Sequence, residues 1–512
     1  MSDFRYSVTD RITALIIALI ILMAGWFSLD YGCRFGDDYA AYLNEGIAIA
    51  EGRFREQIRL NYIMHPIDNT LDENSARVYV WGYPLLLAGV YRFAGFDRVD
   101  FKSIIWYKIP SLIALAVFAV SFFLFLRRRF GFLLSLVLSV MTSFAGCEFF
   151  IFINDLYSDL VFLAFVMLTI LIAEIRKDMK KKSLFLSTLL GILMWYTYEV
   201  RSTGLFIALV IFLIQFMNNV RKKKKKEIAF NFFPFLIAAL FVFLSERFVF
   251  AHASAEISHM DADPATFVLN VKRYGHALAE WLKPFVFSNS EGYEGLKLTM
   301  IVLLSAILAV FSLGSGKMKN DLVYFFFAVA YFCATCLMSY YQGLRYLYPV
   351  FPFIVMFLGY GVQKAAELIR KYTGNHNGWF SGVIAGIISA FMIVNVSLPV
   401  FHMDILNMKC DRIRENAEAY SEDAKDIYRY IINNTRKSDV IAFYTSRGLY
   451  LNTERLTVPN EILYSKKDVD WYLESDELNY HIPEKYKEYF EEVYKNNSYS
   501  FWRRNEQDGE KK

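Results

Sequence analysis

The amino-acid sequence predicts a polytopic α-helical membrane protein of about eleven spans, ending in a small α/β domain outside the membrane. Three observations carry that expectation. Apolar runs of about 18 residues or more recur along the chain, each long enough to cross a bilayer. Of the 512 residues, 55% are hydrophobic and 18% aromatic against 21% charged, a balance that excludes a soluble cytosolic enzyme or a disordered chain. Short basic patches separate the runs: Arg127–Arg129, Arg176–Lys182, Arg221–Lys226, Lys317 with Lys319, and Lys364–Lys371.

The first run, 12–29, follows Arg5 and Arg11. Leu29–Cys33 lacks the small residues of a lipoprotein cleavage site, so this run reads as an uncleaved first span. A polar stretch, 30–81, leads to the apolar segment 82–96, too short to cross and expected as a juxtamembrane or re-entrant helix. Further spans are expected near 104–126, 130–147, 156–175, 184–198, 204–218, 228–250, 297–313, 322–340, 347–366 and 379–401. With the N-terminus in the cytoplasm, every basic patch falls on the cytoplasmic side. The first loop 30–103, the loop 251–296 and the tail 402–512 then share the outer face. The chain divides accordingly into a transmembrane part, 1–401, and an extracytoplasmic α/β domain, 402–512. In that domain Asp423–Asn433 has helical spacing, Asp439–Tyr444 reads as a strand and Ile482–Val493 as an amphipathic helix.

Cys33, Cys147, Cys333, Cys336 and Cys410 form no disulfide framework, and the Cys333/Cys336 pair lies inside an apolar run. The cytoplasmic loops are short and basic and hold no Gly-rich phosphate loop, so chemistry is expected on the outer face. The lysines at 222–226 read as a topology signal or a contact with anionic lipid, not as a nucleic-acid surface.

Four groups of polar residues stand at the outer membrane surface. From Asp38 the pattern is helical as far as Gly52, a fitting C-cap, which puts Asp38, Tyr42 and Glu45 on one face. Asp37 or Asp38 would also serve as the N-cap of that helix. A second acidic pair, Asp155 and Asp159, is expected one helical turn apart, with Asp159 opening an apolar run. Ionisable groups at such depth are costly and point to function, although a helix cap would also account for them. Arg201 and Arg345 stand at the outer ends of apolar runs, against the positive-inside bias. An anion at the outer leaflet would favour them there, as would snorkelling to headgroups.

The first-loop Asp with Tyr at +4 and Gly at +14 resembles the signature of GT-C fold glycosyltransferases, such as the protein O-mannosyltransferases and the aminoarabinose transferases of lipid A. Trp81-Gly82-Tyr83-Pro84, Ser158-Asp159-Leu160, Arg201-Ser202-Thr203-Gly204 and Arg345-Tyr346-Leu347-Tyr348-Pro349 continue the likeness in family order over most of residues 1–360. The resemblance implies a GT-C-like membrane enzyme that moves a sugar from a polyprenyl (undecaprenyl) phosphate donor to a glycan, glycolipid or protein acceptor of the cell envelope. It places the enzyme in a bacterial plasma membrane with the C-terminus outside. Relatives show Asp-Glu where this chain has Asp-Asp, and only Asp38 keeps the spacing to Tyr42. The resemblance therefore assigns the base to Asp38, with Asp37 as the alternative. It gives Arg345, Arg201 and Tyr346 to the donor phosphate. Asp155, Asp159 and Tyr42 would orient the acceptor, or Asp159 would share a divalent metal ion with Asp38; no other cofactor is implied. Attack opposite the phosphate would invert the anomeric centre. A lipid-linked polysaccharide polymerase or ligase and a transporter are the alternatives; against the transporter, no internal hydropathy repeat is visible.

Overall fold

The first helix shows how firmly local sequence sets these elements. Ser7 and Asp10 cap each other's free amides, and an unbroken apolar stretch follows. The computed structural model describes residues 6–33, 37–64, 79–98, 103–178, 183–222, 225–249, 263–285, 294–316, 318–339, 341–373, 379–409, 418–459, 469–476 and 478–505. In order, the helices are α1 Val8–Ser28, α2 Asp37–Glu51, α3 Phe54–Met64, α4 Gly82–Ala94, α5 Ile104–Arg127, α6 Phe132–Phe144 and α7 Glu148–Asn154. There follow α8 Asp159–Asp178, α9 Leu184–Val200, α10 Leu205–Lys222, α11 Lys225–Leu244, α12 Pro264–Leu282, α13 Glu294–Leu313, α14 Leu322–Cys336, α15 Phe351–Thr373 and α16 Trp379–Lys409. A helix thus occupies every stretch expected to span. Among the described residues, 6 helices are long and apolar enough to cross a membrane, or 7 if the bent pair α6 and α7 counts as one span. These features mark an integral membrane protein.

Helix α5 lies at the centre, packed on α1, α4, α6 and α8, with Phe118, Phe122 and Phe125 fully buried. At its outer end a buried lysine ties down the chain that leaves α1. Lys108 Nζ donates to Asp30 Oδ1 (2.6 Å), to the carbonyls of Asp30 and Gly32 (both 2.7 Å) and to Asn154 Oδ1 (3.3 Å). A buried ammonium is tolerated only when surrounded in this way, and the arrangement holds α1, α5 and α7 together just before α2 begins. At the other end of the bundle Arg128 and Arg129, from an expected cytoplasmic patch, pair with Glu174, and Arg129 also with Asp321. That patch is therefore partly neutralised within the fold.

The segment 82–96 forms α4, packed along α2. Its first residue, Gly82, lies against the end of α9 so closely that a Cβ there would stand 2.4 Å from the Glu199 carbonyl oxygen. The loop expected at 251–296 contains α12, capped by Asp263 and started by Pro264.

The C-terminal domain comprises α17 Glu422–Asn434, β1 Val440–Ala442, α18 Ser446–Thr453, β2 Leu456–Val458, β3 Trp471–Ser475, α19 Glu484–Lys487, β4 Phe490–Lys495 and β5 Tyr499–Arg504. Its sheet has the order β2-β1-β3-β5-β4, with β1 parallel to both neighbours and the β3-β5-β4 part antiparallel. Two expectations need correction. The helix expected over 482–493 is a single turn, α19, followed by strand β4. The aromatic and β-branched residues of Phe490–Tyr494 pair with β5, and this sheet partner outweighs the local helical spacing. The boundary expected at 402 falls inside α16, which runs on to Lys409; Cys410 lies outside the described residues.

The domain is fastened to the first loop. Asn44 Nδ2 donates to the Arg447 carbonyl (3.1 Å), Ser446 Oγ donates to the Met64 carbonyl (3.1 Å), and Arg98 pairs with Glu454 (2.7 Å).

Candidate functional site

Asp38 lies in the first turn of α2, the helix that ends as expected at Gly52, whose φ is +76°. Its carboxylate is held from two sides. Tyr79 Oη donates to Oδ1 at 2.5 Å, and Arg345 Nη2 stands 3.3 Å from Oδ2. Asp38 keeps 36% of its side chain exposed, so the carboxylate is positioned and still accessible. The Tyr79 ring stacks on Tyr42 with centroids 4.2 Å apart, and burial together with the Asp38 charge pushes its hydroxyl pKa well above the usual value. Tyr79 therefore remains a donor and does not compete as a base.

Tyr42 does not share the carboxylate's surroundings as helical spacing alone suggests. It is buried, and its hydroxyl meets Ser158 Oγ at 3.0 Å, joining α2 to the start of α8. Glu45 on the same face is also buried and accepts from Asn61 Nδ2 at 3.1 Å. Asp37 is the first residue of α2, and its side chain lies outside the described part.

Asp159 opens α8 as expected, but Asp155 is not one helical turn before it on the same helix. α7 ends at Asn154, and the chain turns through Leu156 at φ +54°. The turn orients Tyr157 and Asp159 towards the two arginines. Asp159 is buried and hydrogen-bonded to Arg201 Nη1. Asp155 is half-buried in the turn and contributes its charge to the surroundings of Tyr157, whose hydroxyl burial pushes up to about 12.

Arg345 belongs to the 3-10 turn Leu344–Val350 that leads into α15, after Gly343 at φ +82°. Its guanidinium lies over the Tyr157 ring at 4.3 Å and over Tyr346 at 5.5 Å. Arg201, in the break between α9 and α10, lies over the same Tyr346 ring at 4.6 Å. The site thus forms a continuous series: Tyr79, Asp38, Arg345, Tyr346, Arg201, Asp159. Two permanent cations flank one aromatic ring, with an accessible carboxylate at one end. Stacking on tyrosine fixes each guanidinium plane without using up its donors. The arrangement can bind an anion between the arginines and accept a proton at Asp38.

The structure brings Asp38, Arg345, Arg201, Tyr346 and Asp159 together, while Tyr42 supports from behind. Tyr79 and Tyr157 were not assigned roles from sequence, although Tyr157 lies within the acidic motif. Tyr79 precedes Trp81-Gly82-Tyr83 by two residues and carried no signal of its own. The residues do not fit a metal ion shared by Asp38 and Asp159. Each of these carboxylates is directed at a guanidinium, and among the described residues no group of 3 or more His, Cys, Asp or Glu side chains is placed to hold a metal.

Comparison with solved structures places this geometry in a known fold. ArnT from Cupriavidus metallidurans bound to undecaprenyl phosphate superposes with a TM-score of 0.56 at 11% identity, over 97% of this chain and 98% of that one. The oligosaccharyltransferase AglB from Archaeoglobus fulgidus, in complex with an inhibitory peptide and a dolichol-phosphate, gives a TM-score of 0.53 at 11% identity over 92% and 70%. The Archaeoglobus fulgidus oligosaccharyltransferase complex with Zn and sulfate gives 0.55 at 13% identity over 90% and 68%. No family model matches the chain, and no curated protein matches it by sequence. The fold is the GT-C fold that the ordered motifs led us to expect.

Proposed function

We propose that the protein is an inverting glycosyltransferase that moves a sugar from a polyprenyl phosphate to a cell-envelope acceptor at the outer face of the membrane. The observation that carries this reading is the contact between Asp38 and Arg345, with Arg201 on the far side of Tyr346. A base and a pair of cations are what displacement of a lipid phosphate requires. The acceptor hydroxyl attacks the anomeric carbon while Asp38 takes its proton. The bond from that carbon to the phosphate oxygen breaks on the opposite face, and the departing phosphate gains negative charge beside Arg345 and Arg201. Arg345 serves both ends. It keeps Asp38 ionised in the free protein, and a bound phosphate competes with that carboxylate for the guanidinium, freeing Oδ2 to act as base. Among the neighbours, ArnT is the one whose structure holds undecaprenyl phosphate, which supports the choice of donor class.

The test uses purified, reconstituted protein with a polyprenyl-phosphate-linked sugar and an envelope extract as acceptor source. Release of free polyprenyl phosphate together with transfer of label to the extract is expected. Intact donor after prolonged incubation with a range of sugars would refute the reading.

A further inference from the structure

The start of α18 holds hydrogen-bond donors that nothing in the protein uses. Arg447, the second residue of that helix, is 4% exposed, and its Nε is buried without a partner. Among the described residues its guanidinium makes no ion pair or hydrogen bond at all. Thr445 beside it also has a buried hydroxyl without a partner and does not cap the helix, so the first amides of α18 lack a side-chain acceptor. A buried charge without a counter-charge is expensive, and such a site is understandable where a ligand supplies the missing charge.

The position of these donors is fixed by the bonds from Asn44 and Ser446 that join α18 to α2 and α3. Helix α2 carries Asp38 at its start. The charge of Arg447 also reaches the Tyr79 hydroxyl, where it opposes the upward push of burial. Tyr79 occupies Oδ1 of Asp38 and Arg345 faces Oδ2, so the two arginines approach the carboxylate from different flanks. The Arg345 flank is assigned to the donor. The Arg447 flank has no role in the reaction as described so far.

We propose that Arg447, Thr445 and the first amides of α18 form an anion subsite on the acceptor side of Asp38, which binds a phosphate group carried by the acceptor. A guanidinium, a hydroxyl and backbone amides together match the several oxygens of a phosphate. The C-terminal domain then determines acceptor specificity, and a neutral acceptor leaves Arg447 unpaired. The inference rests on the reading of Asp38 as the base and Arg345 as the donor-phosphate ligand.

The experiment titrates full-length protein in neutral-lipid nanodiscs with sn-glycerol 3-phosphate, with glycerol as the uncharged control and polyprenyl phosphate as the donor-side probe. Glycerol phosphate is expected to bind and glycerol not. Arg447→Gln should weaken glycerol phosphate binding about tenfold or more while leaving polyprenyl phosphate binding intact, and Arg447→Lys should weaken it less. Arg345→Gln should show the reverse pattern. Thr445→Val, a nearly isosteric change, should weaken glycerol phosphate binding a few-fold, and it carries the test if Arg447→Gln does not fold. Competition by nanodiscs containing phosphatidylglycerol would assign the phosphate to a lipid headgroup; its absence would assign it to a soluble polyol phosphate. Wild-type affinity for glycerol phosphate in both Arg447→Gln and Thr445→Val overturns the subsite. Unchanged polyprenyl phosphate binding in Arg345→Gln would instead undermine the donor assignment and leave the subsite standing.

Discussion

Asp38→Asn separates the chemical role of this carboxylate from its structural one. In the variant Tyr79 still donates to the remaining carbonyl oxygen, as it does to Oδ1 at 2.5 Å. What is lost is the ion pair to Arg345, which spans 3.3 Å and involves an Asp38 side chain 36% exposed. At that exposure the pair contributes only about 0.2–1 kcal/mol to stability, and the melting temperature should move by about 2 °C or less. Loss of a general base lowers the rate about 10²- to 10⁴-fold, equivalent to about 3–5 kcal/mol in the barrier. The two effects differ enough to be told apart in one preparation. Turnover is read as polyprenyl phosphate released from the lipid-linked donor, and stability as thermal unfolding in the same detergent. Near-wild-type turnover in Asp38→Asn would refute the assignment. A loss of turnover matched by a large fall in melting temperature would show that the residue is structural.

Further expectations follow from the same geometry. Arg345→Lys should lose about 30- to 1,000-fold in rate, and Arg345→Ala more, because an ammonium can neither stack flat on Tyr157 nor present a planar fork to phosphate; snorkelling alone predicts wild-type turnover for Lys. Gly82→Ala should destabilise the protein by about 1–3 kcal/mol in thermal unfolding, since its Cβ would stand 2.4 Å from the Glu199 carbonyl oxygen and displace α9 just before Arg201. Burial acts upward on the Glu454 carboxyl, but the Lys437 hydrogen bond and the Arg98 charge outweigh it and hold the pKa below the usual range. The stability this gives is present above the ordinary glutamate pKa and is lost as pH falls through the depressed folded value. Hydrogen exchange in α18 should therefore quicken on acidification below about pH 4, and less so in Arg98→Gln. A reporter fused after Arg504 should be active only outside the cytoplasm, because five basic patches agree on one alternation; cytoplasmic activity would overturn that topology.

Local sequence determined the membrane-spanning helices, because hydropathy over about 18 residues is a property of a single segment and needs no partner. It also determined the start of α2 at the Asp pair, its end at Gly52 and the opening of α8 at Asp159, since caps and turn glycines act on neighbouring residues. Residue order alone placed Asp38, Arg201 and Arg345 among the candidates. The tertiary structure decided which groups face one another. Tyr79 reaches Asp38, and Arg201 and Arg345 share Tyr346, through loops whose composition encodes no distance. It turned an expected helix at 490–495 into a strand because β5 offered pairing that no local pattern reveals. It also separated Asp159 from a shared metal by giving it Arg201, and set Arg447 beside the first loop from the far end of the chain. Hydropathy and caps are interactions between near neighbours in sequence, whereas an active site is a set of contacts closed only when distant segments pack.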